Sequence, residues 1–150
     1  MIEGSELFTL VPHKGKMLLL SRIIEYDLEK RTLKSEYDIE PSCIFYDPDL
    51  GGVPSWTGFE FMAQSISALS GFSARMKGEP PKVGVIMSVS NIEFFHPVIA
   101  HKAVIEIAEE VQLDKIFTFN CAVYSGDTLS AKGQLTVMDI DNVETLRGRK

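Results

Sequence analysis

A single carboxylate lies in a segment of the chain that is otherwise free of charge. Glu60 is the only charged residue between Val53 and Leu69, and apolar side chains recur around it at helical spacing. A carboxylate in such surroundings is costly unless it accepts hydrogen bonds, lies near the positive N-terminus of a helix, or does chemistry. Glu60 is therefore the first candidate for a general acid or base. The plainer alternative is a carboxylate that only complements the helix dipole, worth about 0.3–1 kcal/mol when exposed.

The start of the same predicted helix offers a place for an oxygen that carries partial negative charge. The first N–H groups of a helix, here at residues 55–58, have no partners inside the helix and can bind a carbonyl oxygen. Pro54 suits the position before them, because a missing N–H costs nothing there. The sequence therefore predicts an acid–base group and a carbonyl-binding group close together.

Hydrophobic periodicity and turn residues indicate the elements that position this site. A helix is predicted to start near Pro54 or Ser55, to end before Gly78 and to be buried nearly all round. A helix of about five turns can be shielded from water over its whole surface only if a curved sheet wraps around it. The predicted fold is therefore α+β and specifically the hotdog fold, in a single domain of residues 1–150. Strands are predicted at residues 17–24, 32–39, 83–91, 103–113, 116–124 and 128–139, with a bend at 94–98.

Composition narrows the classes of function. The 150 residues are 45% hydrophobic and carry a net charge of -6, which argues against a nucleic-acid partner. Cys43 and Cys121 are the only cysteines, so we expect neither a disulfide framework nor a metal site. Because no basic leader and no apolar run of about 20 residues is present, we expect a cytoplasmic protein without membrane insertion. No phosphate-binding loop or serine-hydrolase motif is present either, and no cofactor is expected.

Three segments resemble the 3-hydroxyacyl-acyl-carrier-protein dehydratases of fatty acid synthesis, which are hotdog proteins. Residues 10–23 are similar to the family's opening LPHRxPxLLLDRV segment, and residues 60–64 to its E-x-x-A-Q on the central helix. Residues 94–98 are similar to its F-x-x-P-V bend. The P-x-W-x-G-x-E sequence at 54–60 looks closest to the aryl-polyene branch of these dehydratases. The resemblance covers most of the chain.

The resemblance implies a reaction and a set of residues. Dehydration of a 3-hydroxyacyl thioester needs a base for the α-proton, an acid for the leaving hydroxyl and donors for the thioester oxygen. Glu60 and His13 are the implied catalytic residues, and the helix N-terminus at Ser55 and Trp56 is the implied oxyanion site. The residues implied to contact substrate are Tyr46, Pro54, Trp56, Gln64, Phe94 and Phe95.

One position departs from the family pattern. The family's loop histidine lies 14 residues before the helix carboxylate, and Tyr46 occupies that position here. A phenol can donate a hydrogen bond but is a poor general base. His13 would then have to take over, unless it is only a structural turn residue beside a proline. This departure leaves three functions open: a dehydratase, a thioesterase whose carboxylate orients water, and a non-catalytic acyl-binding subunit of a dehydratase.

The resemblance also implies partners. Hotdog sheets pair edge to edge and their sites form between subunits, so a homodimer or larger assembly is expected, or a heterodimer with another hotdog chain. One chain would present the carboxylate, and the other would close the pocket. The acyl substrate would be carried by acyl carrier protein or by coenzyme A.

Overall fold

A computed structural model describes residues 1–11, 15–80 and 83–140, and its elements surround one long helix. The helices are α1 (Ser5–Phe8) and α2 (Gly58–Met76). The strands are β1 (Ile2–Glu3), β2 (Arg22–Asp27), β3 (Thr32–Asp38), β4 (Val53–Pro54), β5 (Val83–Phe94), β6 (Val98–Ile99), β7 (Lys102–Leu113), β8 (Ile116–Ser125) and β9 (Thr128–Ile140).

The central helix α2 has the predicted position. A 3-10 turn at Ser55–Thr57 leads into it, and the chain leaves it through Gly78, whose φ of 68° suits glycine. The prediction of burial nearly all round is wrong for one flank, where the side chains at positions 59, 63, 67 and 70 are only partly buried. Serines at 67 and 70 mark this flank, which lies opposite the buried face. Among the described helices, none is long and apolar enough to cross a membrane.

Seven antiparallel strands form the main sheet, in the order β1-β2-β3-β7-β8-β9-β5. The hairpins β7-β8 and β8-β9 turn at Asp114 and Gly126, which both have positive φ. Successive strands bury Ile105, Val123 and Leu135 in one core with the apolar face of α2. A central helix packed in a curved antiparallel sheet confirms the predicted hotdog fold.

The prediction of a strand at residues 17–24 is wrong in its first half. Gly15–Met17 forms a 3-10 turn, and β2 begins only at Arg22. The leucines at 18, 19 and 20 are buried in the connection between them. They read as a strand because they are consecutive and apolar, but the N–H of Leu19 is bound by the side chain of Gln64 rather than by a neighbouring strand.

A small second sheet fixes the start of α2. Strands β4 and β6 pair antiparallel, with Pro54 opposite Val98. Gly52 makes this approach possible, because a Cβ there would lie 2.4 Å from the carbonyl oxygen of Ile99. The pairing brings the bend at residues 94–98 next to the start of α2.

Candidate active site

The backbone N–H groups at the start of α2 differ in whether they have an acceptor. The N–H of Ser55 donates to the carbonyl oxygen of Pro97 at 2.9 Å. Ser55 is therefore not available as the oxyanion donor that the resemblance implied, because the bend after β5 already uses its N–H. Within the described residues, the N–H of Trp56 has no acceptor. A carbonyl oxygen at this helix start would bind to Trp56.

Glu60 lies about one helical turn after Trp56, which belongs to the 3-10 turn that leads into α2, so the two residues lie on a similar side of the helix start. Its side chain is partly buried, and among the described residues it makes no hydrogen bond and no ion pair. A carboxylate and an N–H donor one turn apart at the positive end of a helix can hold a carbonyl group and move a proton on the adjacent carbon. The roles of Glu60 and Trp56 stay predictions.

Aromatic side chains border the helix start and remain open to solvent. Trp56 is 53% exposed and meets the ring of Phe45 edge-on at 5.3 Å between centroids. Phe94 and Phe95 are 45% and 44% exposed, and the N–H of Phe95 donates to the carbonyl oxygen of Ser130 at 2.8 Å. The bend at residues 94–98 is hydrogen-bonded to Ser55 through Pro97, so these rings lie in the same part of the molecule as Trp56. They offer apolar surface for an acyl chain.

Two more of the residues implied to contact substrate, Tyr46 and Pro54, are more enclosed. Tyr46 is partly buried and packs against the hydrophobic core, and its N–H donates to the carbonyl oxygen of Cys43 at 3.0 Å. Pro54 is partly buried in the pairing with Val98. Both lie in the connection that leads into α2. His13, the second implied catalytic residue, lies outside the described residues.

Gln64 is buried one turn beyond Glu60 and holds a loop in place. Its Oε1 accepts from the N–H of Leu19 at 2.7 Å, and its Nε2 donates to the carbonyl oxygen of Met17 at 2.8 Å. These two hydrogen bonds hold the segment at residues 17–19 against the flank of α2 that carries Glu60. Contact of Gln64 with substrate stays a prediction, and the structure adds this positioning role.

Replacing Gln64 with leucine should lower the free energy of unfolding by about 2 kcal/mol. The variant leaves a buried N–H at Leu19 and a carbonyl at Met17 without partners. An unpaired polar group costs about 1–3 kcal/mol when it is fully buried. Urea denaturation measures the change. Ser67→Ala, on the open flank of the same helix, is the control and should change stability by less than about 0.5 kcal/mol. Equal stability of the two variants would show that the two bonds do not hold the segment.

The two cavities described for the chain lie away from Glu60. One cavity, of about 610 Å³, is lined by residues of the main sheet, among them Lys34 and Ala122. The other, of about 380 Å³, lies at the C-terminal end of α2 near Met76. Glu60 lines neither of them. Over residues 1–11, 15–80 and 83–140, no three side chains of metal-binding type come together.

Thr57 is a buried residue of the helix start that the sequence pattern does not single out. It is 1% exposed, and its Oγ1 is buried without a hydrogen-bond partner among the described residues. Its spacing from Glu60, three residues, was a visible signal. Burial of the hydroxyl, however, depends on packing that the sequence pattern does not contain.

A model of the family described as ApeP-like, ApeP dehydratase, matches residues 5–147 of the chain. The 3-hydroxyacyl-[acyl-carrier-protein] dehydratase FabZ of Agrobacterium fabrum is 28% identical over 138 residues, covering 90% of this chain and 88% of that protein. FabZ of Rhizobium leguminosarum is 26% identical over 136 residues, covering 89% of this chain and 86% of that protein.

Solved structures share the fold. The dehydratase heterocomplex ApeI:P from Xenorhabdus doucetiae superposes with a TM-score of 0.84 at 20% identity, covering 96% of this chain and 97% of the other. A hypothetical thioesterase protein from Streptococcus pneumoniae, solved with coenzyme A, gives a TM-score of 0.61 at 11% identity, covering 81% of this chain and 86% of the other.

Proposed function

Because the chain belongs to the ApeP-like dehydratase family, we propose that it removes water from 3-hydroxyacyl thioesters carried by acyl carrier protein, in fatty-acid or polyene-type synthesis in the cytoplasm. The observation that carries this proposal is that the carboxylate of Glu60 and the N–H of Trp56, one turn apart, have no partner among the described residues. The FabZ relatives, named as 3-hydroxyacyl-[acyl-carrier-protein] dehydratases, support the choice of substrate.

The proposed reaction begins with the thioester oxygen on the N–H of Trp56. The carboxylate of Glu60 takes the α-proton, and negative charge that develops on the thioester oxygen is stabilised by that N–H and by the helix N-terminus. The bond between C3 and its oxygen then breaks, the electron pair leaves with the oxygen, and a proton completes the water. Glu60 can supply this proton because it has just received one. His13 is the second proposed acid–base residue.

The acyl chain is proposed to run over the apolar side chains at the start of α2. Trp56 and Phe45 form one side, and Phe94 and Phe95 on the bend form another, all with open surface. Tyr46, Pro54 and Gln64 complete the proposed contacts, as implied by the resemblance. Tyr46 replaces the family's loop histidine and would donate a hydrogen bond rather than act as a base.

A second chain is proposed to close the site across strand β5, which is an edge of the main sheet. Three apolar side chains of β5 lie opposite buried residues of β9 yet are 37%, 39% and 45% exposed: Ile86, Val89 and Phe94. Side chains on the inner face of a sheet are normally covered, and an uncovered edge strand is a template for pairing. The partner is a second copy or another hotdog chain, and the ApeI:P heterocomplex supports the latter.

Val89→Lys should disrupt this assembly. A lysine on the inner face of the edge strand would place a charge in the proposed interface, so we expect at least about a tenfold weaker association. Light scattering of the purified protein, alone and mixed with a candidate hotdog partner, measures it. Val111→Lys is the control, because Val111 is 50% exposed on β7, three strands away from the edge. Identical masses for both variants and the unmodified protein would contradict the β5 interface.

A thioesterase is the second candidate function, and Tyr46 is the observation that favours it. Hydrolysis needs only a carboxylate that orients water onto the thioester, so the missing loop histidine harms hydrolysis less than elimination. The same absence would suit a non-catalytic acyl-binding subunit.

The test supplies 3-hydroxyacyl and enoyl carrier substrates and follows both enoyl product and free thiol. Enoyl product would support the dehydratase. Free thiol without enoyl product would support the thioesterase. If neither product forms, with or without a partner chain, the non-catalytic subunit is supported.

A further inference from the structure

The outer face of the main sheet carries a row of charges that crosses six strands. Cα pairing places these residues side by side, in order from β2 to β5: Glu25, Lys34, Glu106, Ala122, Lys132 and Glu93. Ala122 lies between Cys121 and Val123, which are buried in the core, so alternation along β8 puts its row on the face away from α2. The signs run negative, positive, negative, neutral, positive and negative.

The middle of this row is open. Ala122 leaves a gap between Glu106 and Lys132, and all three residues line the cavity of about 610 Å³. The two charges pair on the sides away from the gap: Glu106 Oε2 lies 3.7 Å from Lys34 Nζ, and Lys132 Nζ lies 4.0 Å from Glu93 Oε1. The four charged side chains are 35% to 57% exposed, so they are accessible to another molecule.

The order of these charges is complementary to its own reverse. A two-fold axis along β8 would set a second copy face to face with the first and reverse the row about Ala122. Lys34 would then lie opposite Glu93 of the second copy, and Glu106 opposite Lys132 of the second copy. An axis along β7 or β9 would instead set Glu106 or Lys132 opposite its own copy, with like charges together. Only the axis along β8 therefore pairs every opposed charge of the row with its opposite.

Two further rows of the outer face fit the same axis. Ala108 and Gln134 flank β8 in the row next to the charges, so the small Ala108 would face the long Gln134 of the second copy. Towards the other end of β8, Leu113, Ile116 and Met138 lie side by side. Leu113 is 62% exposed and Ile116 is 36% exposed. The axis sets Ile116 against its own copy and Leu113 against Met138, so apolar surface meets apolar surface.

We propose that the outer face of the sheet, centred on β8, binds a second copy of this chain about a two-fold axis along that strand. The face measures about 20 Å along β8 and about 19 Å across five strands, which is roughly 400 Å² of flat area per chain. A standard interface buries about 800 Å² per partner, so this association is weak, at roughly 10–100 µM. The apolar row supplies affinity, and the charges fix the register.

This contact is separate from the β5 edge and does not depend on the proposed reaction. Two sheet faces would pack here at a spacing of about 10 Å, whereas the β5 contact extends the sheet sideways. Val111 lies on the outer face as well, since it pairs with Thr118. Its use as a control for the β5 edge therefore holds at protein concentrations below the range in which the faces associate.

The test reverses charges one at a time in a Val89→Lys background, in which the proposed β5 contact is blocked. Glu106→Lys sets a lysine opposite Lys132 of the second copy, and Lys132→Glu sets a glutamate opposite Glu106. We expect each variant to self-associate at least about tenfold more weakly, because like charges then meet twice. An equal mixture of the two variants restores both pairs and should associate within about threefold of the Val89→Lys protein. Sedimentation equilibrium measures all of these associations.

Glu29→Lys and Lys30→Glu are the matched controls, since both residues are exposed in the turn between β2 and β3 and the changes in net charge are the same. Both should associate as the Val89→Lys protein does. Weak self-association of each test variant with recovery in the mixture supports the face and its occupant. Weakening without recovery overturns the second copy as occupant. Test variants that behave like their controls, or a Val89→Lys protein that stays monomeric at about 500 µM, overturn the proposal.

Discussion

Replacing Glu60 with glutamine should lower kcat for dehydration by about 10³-fold, within the range that a general acid–base residue contributes. Glutamine has the same size but can neither take the α-proton nor return it to the leaving oxygen. Stability should stay within about 0.5 kcal/mol, because the carboxylate makes no hydrogen bond or ion pair within the described residues. Single-turnover formation of enoyl product measures the rate, and urea denaturation measures the stability.

Glu29→Gln is the matched control for this experiment. Glu29 is an exposed glutamate in the turn between β2 and β3, and its replacement removes the same charge without touching the helix start. Its rate should equal that of the unmodified protein. A Glu60→Gln enzyme that keeps more than about a tenth of the rate would mean that another group moves the protons, and His13 would then be the first to examine.

The sequence predicted the central helix and the strands of the second half well, for a physical reason. The helix at Gly58–Met76 and the strands from Lys102 to Ile140 are long and strongly periodic, so local pattern alone determines their type. Glu60 was chosen as a candidate in the same way, since one charge in an apolar helix is a local feature, and its role stays a prediction. Its place in the first turn of α2 follows from where the helix begins.

Features that depend on distant contacts were not predictable in this way. The N–H of Ser55 is free by the local rule for helix starts, but the carbonyl oxygen of Pro97 folds back onto it. The leucines at 18–20 read as a strand, but Gln64 binds the backbone of Leu19 from 45 residues away. The hydroxyl of Thr57 is buried by packing that no short window of sequence contains. In each case the missing information is a tertiary neighbour.

Gly71→Ala should lower the free energy of unfolding by about 3 kcal/mol, although alanine normally stabilises a helix by about 1 kcal/mol relative to glycine. A Cβ at Gly71 would lie 2.1 Å from the carbonyl oxygen of Leu10 and 3.0 Å from its carbonyl carbon. Both atoms belong to the backbone, so the neighbour cannot yield by rotating a side chain. The segment around Leu10 would have to move away from α2, and denaturation in urea measures the cost.

Gly58→Ala provides the control in the same helix. There an added Cβ would meet Val123, Ala131 and Ile99 at 3.5–3.8 Å, which is ordinary contact, so this variant should be as stable as the unmodified protein or slightly more so. The two glycines differ in what an added Cβ would touch: backbone atoms of Leu10 at Gly71, and side chains at ordinary distance at Gly58. Because the chain from Leu10 continues to the segment that Gln64 holds beside Glu60, Gly71→Ala should also slow dehydration. A Gly71→Ala protein as stable as Gly58→Ala would contradict the close packing of Leu10 against α2, and with it the arrangement of this flank of the site.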